Sequence, residues 1–390
     1  MNILIDATGL PRASNEARTY AREMVRHLLL AAEWRAYSIL GWSEPSLGSP
    51  WDFLAPLPLS ARARIQEPAE ERGAIVYCPI GLPSSQALAG ARSVGVRARW
   101  CVGTVLDERP RGGSPRAEGV VTLTHGTLRE LAGSAGPRGA RFRWIPPGLS
   151  HELSLDAAAA GVPLPEGPYI LAAGLSPPVS TEALFAAWRL LKAFRLLRRC
   201  AEENGHEAKP TLAFLPGATL PLRQAAACLG LSDAVVFLPG EFRDPFWRTR
   251  ALASAEVYVH VSRPDASWLI AREAMGRGVP LVAPRSGPFP EVCADCAWYY
   301  EDGNPRKLAQ ALHEVLACRD LRRCLSQRGI ARGQAFSWEA SARHLLDLFA
   351  DVERTASTPS IDDAGEICSS SAAGSTRSGA VSVATSASAI

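Results

Sequence analysis

Lysine is scarce in this sequence. Lys192, Lys209 and Lys307 are its only lysines, so nearly all of the 42 lysine and arginine cations are guanidinium groups, and a phosphate held by a side-chain cation should be held by arginine. Long apolar runs are missing as well. The longest, such as 28–32, fall far short of the roughly 20 residues that cross a bilayer, so no transmembrane helix is expected. Charge of one sign is small: a net +3 over 390 residues argues against nucleic acid as a main ligand. The nine cysteines are scattered, and no cationic and apolar leader precedes the strand-like 2–6, so a cytoplasmic protein with reduced thiols is expected. Cys293 and Cys296 form the one close pair; without a second C-x-x-C or a redox context, they read as structural thiols rather than a zinc or disulfide site.

What is present is globular usage, 47% hydrophobic and 21% charged, over a length that suits two domains. Asn2-Ile-Leu-Ile-Asp6 reads as a buried parallel strand, and apolar residues at helical spacing follow over 16–32. Strand-like stretches at 37–40, 74–78, 100–105, 119–124 and 142–145 continue the pattern. The alternation restarts at Tyr169 with strands at 169–174, 211–215, 234–238, 257–261 and 280–283, separated by helices at 182–204, 247–254, 268–277 and 305–317. Strand and helix by turns predict doubly wound parallel sheets. The expected division is a first domain over 1–150, a linker over 151–168, a second domain over 169–335, a closing helix over 336–354 and a disordered tail over 355–390, which is rich in Ser, Ala, Thr and Gly. Two such sheets leave a cleft between their carboxyl ends, the usual ligand site in open α/β folds.

Several segments, in order along the chain, resemble the family 4 retaining glycosyltransferases. They are Met1-Asn-Ile-Leu-Ile-Asp-Ala-Thr-Gly9, Thr19-Tyr-Ala-Arg-Glu23, Trp144-Ile-Pro-Pro-Gly148, Val235-Val-Phe-Leu238, Ala255-Glu-Val-Tyr-Val-His-Val-Ser262, Glu273-Ala-Met-Gly-Arg-Gly-Val-Pro280, Gly287-Pro-Phe-Pro-Glu-Val292 and Phe336-Ser-Trp-Glu339. The resemblance implies a GT-B fold, α/β with two Rossmann-like domains facing a cleft. It also implies transfer of a sugar from a nucleotide-sugar donor to an acceptor hydroxyl with retention, without a metal or other cofactor. The donor would sit on the second domain, with a glycan or lipid-linked acceptor against the first.

The family's site positions fall on this sequence as follows. The loop after the first strand, 11–18, lacks the family's glycines and carries Glu16, with Arg18 the cation able to turn toward a diphosphate. In Thr104-Val-Leu-Asp107, Leu106 stands where the family has a histidine, and Asp107 remains as a candidate catalytic-side group. The segment Gly174-Leu-Ser-Pro-Pro-Val-Ser180 keeps Gly174 but has no cation, with Val179 at the lysine position. Asp265 and Glu273 keep the family's spacing of two acids; Asp265 is the catalytic candidate, and Glu273 would accept hydrogen bonds from a nucleotide ribose. Trp268 stands between them. Arg18, Arg263, Arg272 and Arg285 are the cations able to replace the missing phosphate clamp, and the alternative for each is an ordinary surface arginine.

Three readings stay open: an active transferase of polysaccharide or glycoconjugate assembly, a GT-B protein that binds a partner glycosyltransferase or a glycan without transferring sugar, and a nucleotide-sugar epimerase. They separate on whether arginines converge beside Glu273 or Val179 and Trp268 fill the cleft. Helix 16–32 could touch a membrane carrying a lipid-linked acceptor, a role that a core-facing stripe explains equally well.

Overall fold

The computed structural model describes residues 3–6, 8, 15–31, 36–40, 57–63, 65–66, 71–80, 89, 91, 93, 96–105, 117–135, 139–149, 164–173, 181–203, 210–215, 219–238, 245–261 and 268–355. Seven parallel strands form the first sheet: β1 (Ile3–Asp6), β2 (Tyr37–Leu40), β3 (Ile65–Gln66), β4 (Glu71–Cys78), β5 (Val96–Val105), β6 (Gly119–Thr122) and β7 (Arg141–Trp144), in the order β3-β2-β1-β4-β5-β6-β7. Six more form the second: β8 (Tyr169–Ala173), β9 (Thr211–Phe214), β10 (Val235–Phe237), β11 (Val257–His260), β12 (Leu281–Pro284) and β13 (Ala297–Tyr300), in the order β10-β9-β8-β11-β12-β13. Both orders reverse beside the first strand of their sheet, at β1/β4 and β8/β11, the switch points where doubly wound folds open a crevice.

The alternation along β8 shows why these segments are parallel strands buried on both faces. Tyr169, Leu171 and Ala173 join a core that continues into the first domain, while Ile170 and Ala172 join a second core under the outer helices. Around the sheets lie α1 (Asn15–Ala31), α2 (Leu59–Arg62), α3 (His125–Glu130), α4 (Thr181–Glu203), α5 (Thr219–Cys228), α6 (Pro245–Ala253), α7 (Trp268–Gly276), α8 (Phe289–Cys293), α9 (Pro305–Ala317), α10 (Arg319–Gln334) and α11 (Trp338–Thr355). Their starts are chemically marked. Thr124 caps α3 through Thr127 N (3.1 Å), Asn304 caps α9 ahead of Pro305, and Ser337 Oγ accepts from Ala340 N (3.1 Å) at the start of α11.

The apolar stripe of α1 faces inward: Tyr20, Ala21, Met24, Val25, Leu28 and Leu29 are all buried. The membrane role open to this helix in the sequence therefore gives way to its core-facing alternative. Helix α11 returns from the second domain to lie on α1. Phe349 meets Tyr77 edge-on at 5.5 Å, Trp338 packs against Tyr20, and Asp351 pairs with Arg143.

The two chain crossings between the sheets touch each other. Ser341 Oγ donates to Pro146 O and also lies 2.9 Å from Ser337 O. A Cβ on Gly148 would fall 2.2 Å from the backbone nitrogen of Trp338, so only glycine fits there. Leu149 wedges between α7 and α10 at Gly276 and Gly333, where Cβ atoms would lie 2.2 and 2.5 Å from its Cδ1. Residues 151–160 and 356–390, most of the expected linker and nearly all of the expected tail, lie outside the described residues.

Candidate functional site

Helices α1 and α7, which follow the carboxyl ends of β1 and β11, line one pocket, and the candidate site is built there, where α7 leaves the second sheet. Helix α7 has its buried stripe at Trp268, Ile270, Ala271, Arg272, Ala274 and Met275, so Glu273 emerges at its border with a side chain 13% exposed. Across from it, α6 buries Ala251 and Leu252 and, one turn earlier, Arg248. The spacing 248, 251, 252 puts a guanidinium on the apolar stripe. Arg248 Nε donates to Glu273 Oε2 (3.0 Å) and its NH2 to Oε1 (2.9 Å), a bidentate pair in which Arg248 is only 3% exposed.

The same pocket, at the seam between the domains, is walled by Glu16, Tyr20, Arg272 and Trp338. Arg272 is buried. Its guanidinium lies 4.7 Å over the Phe336 ring, and its NH2 finds no acceptor among the described residues. Burial pulls its pKa down to about 9, with the Cys293 side chain opposing the fall and Arg332 adding to it, so the group keeps its charge at neutral pH. Trp338 Nε1 is a second buried donor without an acceptor among the described residues. Buried donors of this kind call for an oxygen-rich partner. Arg277 stands close behind: burial lowers its pKa while Glu273 opposes the fall, and its NH2 donates to Thr249 Oγ1 (3.3 Å).

The seam is also tied by a carboxylate. Glu291, from the motif Gly287-Pro-Phe-Pro-Glu-Val292, accepts from His125 N (2.6 Å) and Gly126 N (3.1 Å) at the start of α3 in the first domain. Beside it, His125 stacks on Trp144 at 4.2 Å, and Trp144 meets Phe336 edge-on at 6.5 Å. Arg332 donates to the carbonyls of Val292 and Glu291 (both 2.6 Å), holding α10 against that turn.

On β11, His260 is fully buried, bonded through Nδ1 to Tyr258 OH (3.0 Å) and tilted 4.6 Å from Phe289; burial drops its pKa to about 3. It is neutral at physiological pH and cannot act as a proton donor there. Cys293 and Cys296 are free, buried thiols with pKa values pushed up, mainly by burial, to about 12 and about 11. Neither carries the thiolate that redox or nucleophilic chemistry needs. Among the described residues no three His, Cys, Asp or Glu come together as a metal site, and no helix is long and apolar enough to cross a membrane.

Of the residues singled out from the sequence, Glu16, Arg272 and Glu273 line this one pocket. Trp268 does not fill the cleft: it is 3% exposed and packs into the core. Arg18 is half-buried on α1, and Arg285, at the end of β12, is exposed with its guanidinium 5.0 Å over the Tyr299 ring; neither lines the pocket. Asp107, Gly174, Val179, Arg263 and Asp265 lie outside the described residues. Arg248 was not visible as a site residue in the sequence. The signal available was a charged residue in register with the apolar stripe of a short helix.

Comparison with known proteins bears on the fold and the family likeness. Residues 186–318 match the family described as "Glycosyl transferases group 1". A D-inositol 3-phosphate glycosyltransferase of Acidothermus cellulolyticus is 26% identical over 265 residues, 62% of this chain and 56% of that protein. An MMP alpha-(1->4)-mannosyltransferase of Mycolicibacterium hassiacum is 34% identical over 134 residues, 33% of this chain and 32% of that protein. The chain thus spans just over half, or less, of the curated relatives it matches. Among solved structures, a glycosyltransferase from Rickettsia africae superposes with a TM-score of 0.62 at 13% identity, covering 90% of this chain and 98% of that one. Anabaena Alr3699/HepE in complex with UDP-glucose gives 0.62 at 14% identity, covering 90% and 100%. The fold is GT-B, and the likeness to the family 4 glycosyltransferases read from the sequence stands.

Proposed function

For a chain of the GT-B fold whose second domain matches the group 1 glycosyl transferases, we propose transfer of a sugar from a nucleoside diphosphate donor to an acceptor hydroxyl with retention, in polysaccharide or glycoconjugate assembly. The observation that carries the reading is the Arg248–Glu273 pair with Arg272 in the same pocket. An ionised carboxylate offers about four acceptor positions. Arg248 takes one on each oxygen, which leaves one on each for two hydroxyls of a ribose while fixing the orientation of the carboxylate. Arg272 keeps a donor without an acceptor among the described residues and supplies the positive charge that stabilises a departing diphosphate. In this reading the Gly174 backbone and Arg263 complete the donor site and Asp107 and Asp265 serve the transferring sugar, whereas Arg18 and Arg285, which do not line the pocket, are left out of it. The donor class is supported by HepE, whose solved complexes hold UDP and UDP-glucose.

A second reading, a GT-B protein that binds without transferring, is favoured by one observation: residues 174–180 contain no cation. One experiment tests both. Thermal titration with UDP, GDP, ADP and their sugars should show one nucleotide raising the melting temperature. At one hundred times Kd the gain is about 2.7 kcal/mol, and Glu273→Gln should abolish it. No shift at millimolar concentration from a folded sample would sink the donor site. Binding without release of nucleoside diphosphate across an acceptor panel would leave the non-transferring reading standing.

A further inference from the structure

Helix α4 buries Ala183, Ala187, Leu190, Leu191, Phe194 and Leu197 against the second sheet and turns its other side outward. Such a side ordinarily carries polar residues of mixed charge. Here it displays Phe185, Trp188 and Leu196, which are 57%, 38% and 38% exposed. They are interleaved with Arg189, Lys192, Arg195 and Arg199. At the helical repeat these seven positions share an arc of about 120°. Residues 183–201 hold five cations and no Asp or Glu, whereas the whole chain has a net charge of only +3. Counting Glu182, Glu202 and Glu203 at its two ends the helix is net +2, and its cations lie together between those acids. Arg198 and Arg199 pair with Asp233 and Glu203, but Arg189, Lys192 and Arg195 have no carboxylate partner among the described residues. Lys192 Nζ lies over the Trp188 ring, 3.5 Å from its centre, a cation–π contact that holds charge and aromatic surface together on this face.

We propose that this face docks on the surface of an anionic lipid bilayer. Aromatic and aliphatic side chains enter the boundary of the acyl region, and cations on the same helix remain at the level of the headgroups. A partner that presents only an apolar patch would leave the cations without a counterpart, and a polyanion would leave Phe185 and Leu196 without one. The fold orients the contact. Helices α4 and α5 both start at the carboxyl edge of the sheet, so Phe185, and Leu220 at 67% exposure, sit toward the cleft, while Arg195 and Arg199 lie further from it. Docking would hold the cleft near the bilayer.

The test is flotation of the full chain with vesicles of phosphatidylcholine alone or mixed with phosphatidylglycerol, without nucleotide, so that its failure is separate from failure of the transferase reading. Binding to the mixed vesicles only, falling as salt rises from about 0.1 to 0.5 M, is expected. Arg189→Gln with Lys192→Gln and Arg195→Gln should weaken it about a hundredfold, at about fivefold per cation. The same loss of charge at Arg319, Arg323 and Arg328 on α10 should leave it nearly unchanged. Phe185→Ser with Trp188→Ser should weaken it about tenfold with an unchanged melting temperature. Wild-type protein that ignores anionic vesicles, equal losses from both triple variants, or a stable dimer dispersed by Phe185→Ser would each overturn the proposal, the last by assigning the face to a second copy.

Discussion

Replacing Arg248 by methionine should destabilise the protein even though it puts an apolar side chain at a buried position. The change removes two hydrogen bonds, of 3.0 and 2.9 Å, from a Glu273 side chain that is 13% exposed. Breaking one side of a buried ion pair costs about 3–5 kcal/mol, because the remaining charge keeps its desolvation penalty without its partner. The structure sharpens that range. Arg277 is within electrostatic reach of Glu273, so a carboxylate left alone by Arg248→Met still faces a cation, and the cost should fall near 3 kcal/mol. Glu273→Leu leaves Arg248 and Arg277 facing each other with no anion between them, and should fall nearer 5 kcal/mol. Combining Arg248→Met with Glu273→Leu removes both charges, and stability should return to within about 1 kcal/mol of the parent, since apolar pairs often replace buried ion pairs without loss. Urea unfolding without ligand reads all four proteins at constant m. The double variant should fold and still fail to bind nucleotide, which separates the pair's structural role from its role in the site. A cost below 1 kcal/mol for Arg248→Met, or a double variant no better than the worse single, would refute the reasoning.

Three further outcomes follow from the same structure. Gly148→Ala should cost more than Gly276→Ala, because the new methyl group meets the backbone nitrogen of Trp338 in the first case and the movable end of Leu149 in the second; overpacking of this kind costs about 1–3 kcal/mol, and urea midpoints read the order. Glu291→Ala should loosen the seam by leaving the His125 and Gly126 amides without their acceptor, seen as faster hydrogen exchange in α3 with the rest of the first sheet unaffected. His260 has a folded pKa of about 3 against 6.5, so the unfolded chain binds the extra proton, and its contribution to stability is full above pH 6.5 and falls on acidification toward pH 3. The slope, about 1.4 kcal/mol per pH unit between those limits, should disappear in His260→Asn.

The parallel strands and long helices were legible because their apolar residues recur at the right period. The helix expected at 16–32 is found at Asn15–Ala31, and the one expected at 305–317 is found at those residues. Helix α10 was not legible. Only Leu325, Gly329 and Gly333 are buried along it, and glycines inside a helix read as breakers when their reason, contact with Met275, Gly276 and Leu149 on other elements, lies elsewhere in the chain. Strand β13 hid because Ala297-Trp-Tyr-Tyr300 follows a turn in which Ala294 takes a positive φ of 47°, a conformation no pattern of hydrophobicity announces. In the site, Glu273 stood out by motif. Its partner Arg248 lies 25 residues away on another helix, and only the packing of α6 against α7 brings them together.

Helix α11 gives the first domain a part that is made only after the second sheet. Arg143 and Asp351, which meet across the first sheet, are 208 residues apart in sequence, and a ribosome adding roughly 5–20 residues per second needs on the order of ten seconds or more to bridge that interval. Throughout it, the side chains of Tyr20 and Tyr77 lack the cover that Trp338 and Phe349 later supply. The nascent first domain thus presents an oily groove to the cell while the second is still being synthesised. It is synthesis of the segment that follows the second domain, rather than the end of its own coding segment, that seals it.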